Sequence, residues 1–131
     1  MNLLLDTHIA LWAIEDNPRL SETARRLITD PDASITVGVV SLWEIAIKHA
    51  LGRSGLHAMP MSASVARSFF TRAGFAILPV KSEHVETLEG LQRLHDDPFD
   101  RMLVATALCE PLRLVTHDVA LAAYSDTVVV V

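Results

Sequence analysis

The feature that most constrains the fold of this chain is a change of hydrophobic period that repeats along its length. Asn2–Leu5 is a short apolar run cut off at Asp6, and from Thr7 the apolar residues Ile9, Leu11, Trp12 and Ile14 take helical spacing until Asn17-Pro18. A run of that length between breaks fits a strand buried on both faces. The pairing recurs: residues 34–40 are β-branched and read as a second strand, 75–80 as a third, 112–115 as a fourth and 127–131 as a last. Helical patterns lie between them. One opens at Ser21 with Leu20 as a staple and runs to about Asp30; another opens on Ser41-Leu42-Trp43-Glu44, a capping-box pattern that puts Glu44 in the first turn. Residues 62–73 carry Val65, Phe69 and Phe70 on one side, and residues 82–94 turn Val85, Leu88 and Leu91 inward. Residues 52–61, with two Gly and one Pro, form a loop too short to link domains. Strands alternating with helices imply an α/β chain with a central parallel sheet of four to five strands and helices on both faces. The 131 residues make one domain, 1–131. In such sheets ligands bind beyond the carboxyl ends of the strands.

Acids gather at those ends. In His95-Asp96-Asp97-Pro98-Phe99-Asp100-Arg101, Pro98 suits the first position of a helix running to about Cys109, and Asp97 can cap it. Asp100 then falls at the third position, so the helix start carries more negative charge than capping needs. Asp6 ends the first strand, Glu44 follows the second, and Asp118 follows the fourth by way of Thr116-His117. Each acid has an ordinary reading as a cap or a partner of the helix dipole. Jointly they point elsewhere, because carboxylates gathered without counter-ions cost several kcal/mol. With no Cys cluster and no paired His, such a set suits Mg²⁺ or Mn²⁺ better than Zn²⁺. Acids at separate junctions also match a two-metal phosphodiesterase site.

Charge and composition bound the rest. A net charge of −5, from 16 acids against 11 Lys and Arg, disfavours a non-specific nucleic-acid coat but does not exclude a metal-holding nuclease. Half the residues are hydrophobic and mean hydropathy is +0.32, which suggests a buried subunit or partner surface. No apolar run reaches a membrane span, the amino terminus reads against a signal peptide, and a lone Cys109 reads as a small buried hydrophobe. The expectation is a cytoplasmic protein with no membrane partner.

Four blocks carry a resemblance to a known family: Leu4-Leu5-Asp6-Thr7-His8, Ser41-Leu42-Trp43-Glu44-Ile45-Ala46-Ile47-Lys48, the stretch from His95 to Arg101, and Leu114-Val115-Thr116-His117-Asp118. In order and spacing they resemble the PIN-domain family, and within it the VapC-type toxins of bacterial toxin–antitoxin pairs. The block Asp97-Pro98-Phe99-Asp100-Arg101 is specific; the others are weak alone. The resemblance covers essentially the whole chain. It implies a PIN-like ribonuclease domain, an Mg²⁺- or Mn²⁺-dependent endoribonuclease acting on RNA, a VapB-like antitoxin as partner, and a homodimer. It also implies Asp6, Glu44 and Asp100 as catalytic metal ligands, with Asp118 as the more variable fourth acid and Thr116 as a supporting hydroxyl. Asp97 divides between helix cap and outer metal ligand.

Other residues keep two readings. Thr7 either starts a helix or holds a metal-bound water, and Arg101 either pairs with Asp97 or meets a phosphate. Lys48, four residues after Glu44, reads first as its helix partner. His8, His95 and His117 sit beside candidate acids without an assigned role, and Trp12 and Trp43 read as packing residues rather than base-stacking ones. Rival functions are a metal-independent RNase leaving 2′,3′-cyclic phosphates, a phosphoacceptor domain built on Asp6, and a non-catalytic acidic pocket that receives a basic peptide. The metal-dependent reading expects 5′-phosphate and 3′-hydroxyl ends.

Overall fold

Nearly every strand gives way to a residue that can start a helix, and this punctuation sets the architecture. The computed structural model describes residues 1–52 and 59–131, so Arg53 and His57 of the 52–61 loop lie outside the described residues. In chain order the elements are β1 (Asn2–Leu5), α1 (Thr7–Glu15), α2 (Glu22–Thr29), β2 (Ser34–Gly38), α3 (Val39–Ala50), α4 (Ala63–Arg72), β3 (Ala76–Leu78), α5 (Ser82–Gly90), α6 (Pro98–Cys109), β4 (Arg113–Thr116), a 3₁₀ helix (Val119–Tyr124) and β5 (Val128–Val130). All strands run parallel in the order β3-β2-β1-β4-β5. The chain therefore winds outward one way from β1 and the other way from β4. Between those two strands lies the switch point, where such sheets open a crevice at their carboxyl ends.

Side chains of β1 alternate across the sheet, as strand geometry requires. Leu3 and Leu5 join Ile9, Leu11, Ile45, Ala66 and Phe70 on one face, while Leu4 joins Leu103, Val104, Leu114 and Leu121 on the other. The central strand is buried on both sides. That is why its sequence is an unbroken leucine run rather than an alternating one.

Several boundaries differ from the sequence reading. β2 stops at Gly38, and Val39 and Val40 already belong to α3. Gly38 caps that helix, and a Cβ there would lie 3.3 Å from the Val40 Cγ1, so the tight strand-to-helix joint favours glycine. The capping box at Ser41 is therefore absent, and Glu44 stands in the second turn rather than the first. α5 ends at Gly90, with His84 buried and Val85 exposed, and on α4 Phe70 is buried while Val65 and Phe69 face out. Cys109 is only partly buried, at the end of α6. The caps at Asp6, Ser21, Ser62, Asp97 and Asp118 are all present, each side chain accepting an amide of the turn that follows.

Candidate functional site

Asp6 is fixed by its place between β1 and α1. Its Oδ1 accepts the Ile9 amide at 2.9 Å and its Oδ2 accepts the Thr116 hydroxyl at 2.5 Å. The same hydroxyl accepts the Asp118 amide at 3.1 Å, so Thr116 ties the end of β4 to the end of β1. Glu44 reaches the same place from α3. Its Oε1 accepts the Thr7 hydroxyl at 2.6 Å and its Oε2 meets Lys48 Nζ at 2.5 Å. Thr7 also lies 2.9 Å from the Ser41 hydroxyl, which explains why Ser41 is buried instead of capping.

Asp100 comes from the first turn of α6, where Asp97 caps by accepting the Phe99 amide at 2.9 Å. Asp100 accepts no hydrogen bond from any described residue, and it meets His95 Nε2 only at 3.7 Å. Asp118 is better held. Its Oδ1 caps the 3₁₀ helix through the Ala120 amide, and its Oδ2 lies 2.8 Å from His95 Nε2.

These side chains share one cavity of about 360 Å³, lined by Asp6, Glu44, Asp97, Asp100 and Asp118 with His8, His117 and Lys48. Four separate junctions thus bring their acids to the switch point. Lys48 is the one lysine or arginine lining it among the described residues, and it is already paired with Glu44. The electrostatics follow. Burial first, then the charges of Asp97, Asp6 and Glu44, raise the Asp100 carboxyl to about 7. Burial also pushes Asp6 up, against hydrogen bonds from Thr116 and Ile9. Burial alone would raise Asp118, but the bonds from His95 and the Ala120 amide outweigh it and hold it low. Burial lowers His8 despite the nearby Asp6 and Glu44.

Of the supporting residues, Thr7 and Thr116 grip Glu44 and Asp6, and Asp97 is both cap and cavity wall. Arg101 departs from expectation: it pairs with no described acid and lines no part of the cavity, its guanidinium reaching instead toward the Leu91 carbonyl. Trp12 tilts against His117 at 5.0 Å between ring centres, while Trp43 is 59% exposed with its ring edge against Phe99. Sequence reasoning noted His95 but gave it no task, and it missed Tyr124, whose hydroxyl accepts the amides of Leu94 and His95 at 3.1 and 3.0 Å. Tyr124 carries no sequence signal, being 29 residues from its partner.

The donor set fits a hard divalent cation. Its atoms are carboxylate oxygens, anchored by hydrogen bonds at Asp6, Glu44 and Asp118 and without a bonded donor at Asp100 among the described residues. Among the described residues, ligand atoms of His95, Asp100 and Asp118 also lie within 4.8 Å of one another.

A PIN domain family model matches residues 3–126. The fold is also that of three solved structures. The VapBC2 complex of Rickettsia felis bound to a DNA fragment from its promoter is 16% identical at a TM-score of 0.68, over 100% of this chain and 98% of that one. A toxin–antitoxin complex from Klebsiella pneumoniae is 16% identical at 0.65, over 97% and 95%. FitAcB from Neisseria gonorrhoeae is 18% identical at 0.62, over 100% and 97%. A comparison with curated proteins gives no significant match.

Proposed function

The chain belongs to the PIN domain family, and from that premise we propose that it is a divalent-metal-dependent endoribonuclease, the toxin half of a toxin–antitoxin pair. One observation carries the proposal: Asp100 faces Asp6, Glu44 and Asp97 with no bonded donor, at a carboxyl pKa near 7. A cavity holding that much unmatched negative charge is built for a cation. Asp6, Glu44 and Asp100 would hold Mg²⁺ or Mn²⁺, with Asp118 beside them. A bound ion supplies Lewis-acid polarisation of a phosphodiester and a nucleophilic water at neutral pH.

The chain's own residues do the placing. Thr116 and the Ile9 amide fix both oxygens of Asp6, so its carboxylate cannot swing away. Thr7 and Lys48 fix Glu44 in the same manner. His8 and His117 stand on the cavity wall, within reach of a strand laid across it. Preorganised groups of this kind lose little energy to reorganisation when charge develops in the reaction.

The partners come from the family and from the surface. The similar Klebsiella pneumoniae structure is a toxin–antitoxin complex and that from Rickettsia felis is VapBC2, which supports a VapB-like antitoxin here. Val39, Trp43 and Ile47 on α3 and Leu51 just past its carboxyl end form an exposed stripe at a spacing of four, apolar area that supports a protein partner, the antitoxin and a second copy of the chain. No helix among the described residues is long and apolar enough to cross a membrane.

The test is RNA cleavage with added Mg²⁺ or Mn²⁺, with and without EDTA, and mapping of the product ends. Loss of cleavage in EDTA and 5′-phosphate ends are expected. EDTA-resistant cleavage leaving 2′,3′-cyclic phosphates would overturn the proposal.

A further inference from the structure

The loop before α6 and the 3₁₀ helix after β4 are stapled together at both ends of the latter. At its finish, the Tyr124 hydroxyl accepts the amides of Leu94 and His95. At its start, the capping Asp118 accepts from His95 Nε2 at 2.8 Å. Between them the imidazole has no freedom of role. Its Nδ1 lies 3.0 Å from the Asp97 amide nitrogen, which can only donate, so Nδ1 must be the unprotonated acceptor. Nε2 then carries the proton of the neutral ring and has no lone pair to offer a metal. That decides between two uses of the trio His95, Asp100 and Asp118. A third ligand would need an Nε2 stripped of its proton, whereas a donor to Asp118 needs the arrangement seen.

We propose that His95 is a positioning residue, an Nε2–H donor that aims the Asp118 carboxylate into the acidic cavity, with Tyr124 as the post that fixes its backbone. The inference rests on the proposed metal site and assigns this chain's residues a task toward it. Asp118 needs such help more than Asp6 or Glu44 does. It stands on a short 3₁₀ turn, while Asp6 and Glu44 rise from β1 and α3 and are bonded within buried surroundings. A donor behind a ligating carboxylate fixes its orientation, and losing one typically costs 10–100-fold in metal affinity.

The experiment measures Mn²⁺ affinity of the full chain by the electron paramagnetic resonance of free Mn²⁺, in the parent and in His95→Ala, His95→Gln, Asp118→Asn and the His95→Ala/Asp118→Asn pair. His95→Ala is expected to weaken binding about 10–100-fold. Gln, whose amide nitrogen reaches the same place as Nε2, recovers most of that loss. In the Asp118→Asn background, His95→Ala costs little more, because the group it aims is gone. Circular dichroism melts show whether each variant folds. A parent-like affinity in folded His95→Ala, or an undiminished loss in the Asp118→Asn background, overturns the proposal. A metal-free reading stands beside it: ¹⁵N imidazole spectra should show His95 protonated at Nε2, and protonation at Nδ1 overturns the proposal whatever the metal does. Absence of Mn²⁺ binding by the parent, or equal binding by Asp100→Asn, counts against the metal site itself, and the tautomer then judges His95 alone.

Discussion

The two ends of α6 handle half-exposed acid in opposite ways. At its carboxyl end Glu110 meets His84 Nε2 at 2.7 Å and Lys81 Nζ at 3.3 Å, while His84 Nδ1 accepts the Lys81 amide. The acid there opposes the helix dipole, yet every partner is present, and the His84 and Lys81 bonds hold Glu110 low. At the amino end Asp97 and Asp100 agree with the dipole but exceed it, and Asp100 is pushed to about 7. A matched acid staples α5 to α6; an unmatched one waits for something from outside the chain.

The largest effect that would break this contrast is on cleavage. Asp100→Asn should lower single-turnover RNA cleavage roughly 10²–10³-fold, while Glu110→Gln should leave it within about twofold of the parent. Equal losses would mean that both ends are merely structural. Next comes stability at the matched end. His84 is wholly buried, so His84→Ala should cost about 2–3 kcal/mol in urea unfolding through lost packing and an orphaned Lys81 amide.

Removing the unmatched acid should do the reverse. In chelator at pH 8, Asp100→Asn should gain on the order of 1–2 kcal/mol, discounted for the solvent-facing side of the carboxylate. The pH dependence separates the ends further. Asp100 binds its proton more tightly when folded than unfolded, so its term favours folding at low pH and is lost as pH rises from about 4 to about 7. Glu110 has a depressed value, so its term is present at neutral pH and lost as pH falls below the ordinary glutamate range. Melts of metal-free parent, Asp100→Asn and Glu110→Gln across pH 3–8 should show each variant erasing its own limb. The smallest effect is at Lys81, whose side chain is 44% exposed: Lys81→Ala should cost under about 0.5 kcal/mol.

The start of α6 was legible from sequence because its signals are local. Asp97 caps, Pro98 opens and Asp100 sits at the third position, all within one turn. The start of α3 was not, because β-branched Val39 and Val40 extend the look of the strand and Ser41-x-x-Glu44 imitates a capping box. What decides there is tertiary: Gly38 makes the joint, and Thr7 of another helix takes up both Ser41 and Glu44. Glu44 thereby loses its helix-capping explanation and is held instead by Thr7 and Lys48 at the cavity wall. The inward turn of His84 was hidden for a related reason. Its partner Glu110 is 26 residues away, beyond any periodic pattern. Arg101 follows Asp100 directly yet turns to the Leu91 carbonyl, which adjacency in sequence does not reveal.

The most direct measurement is calorimetric titration of Mn²⁺ into the purified full chain and into its Asp100→Asn variant at pH 7.5. Saturable binding by the parent, with protons released as Asp100 gives up its share, and at least tenfold weaker binding by the variant are the results expected here. No heat of binding in the parent, or identical curves for the two proteins, would contradict the claim that these carboxylates converge to hold a cation.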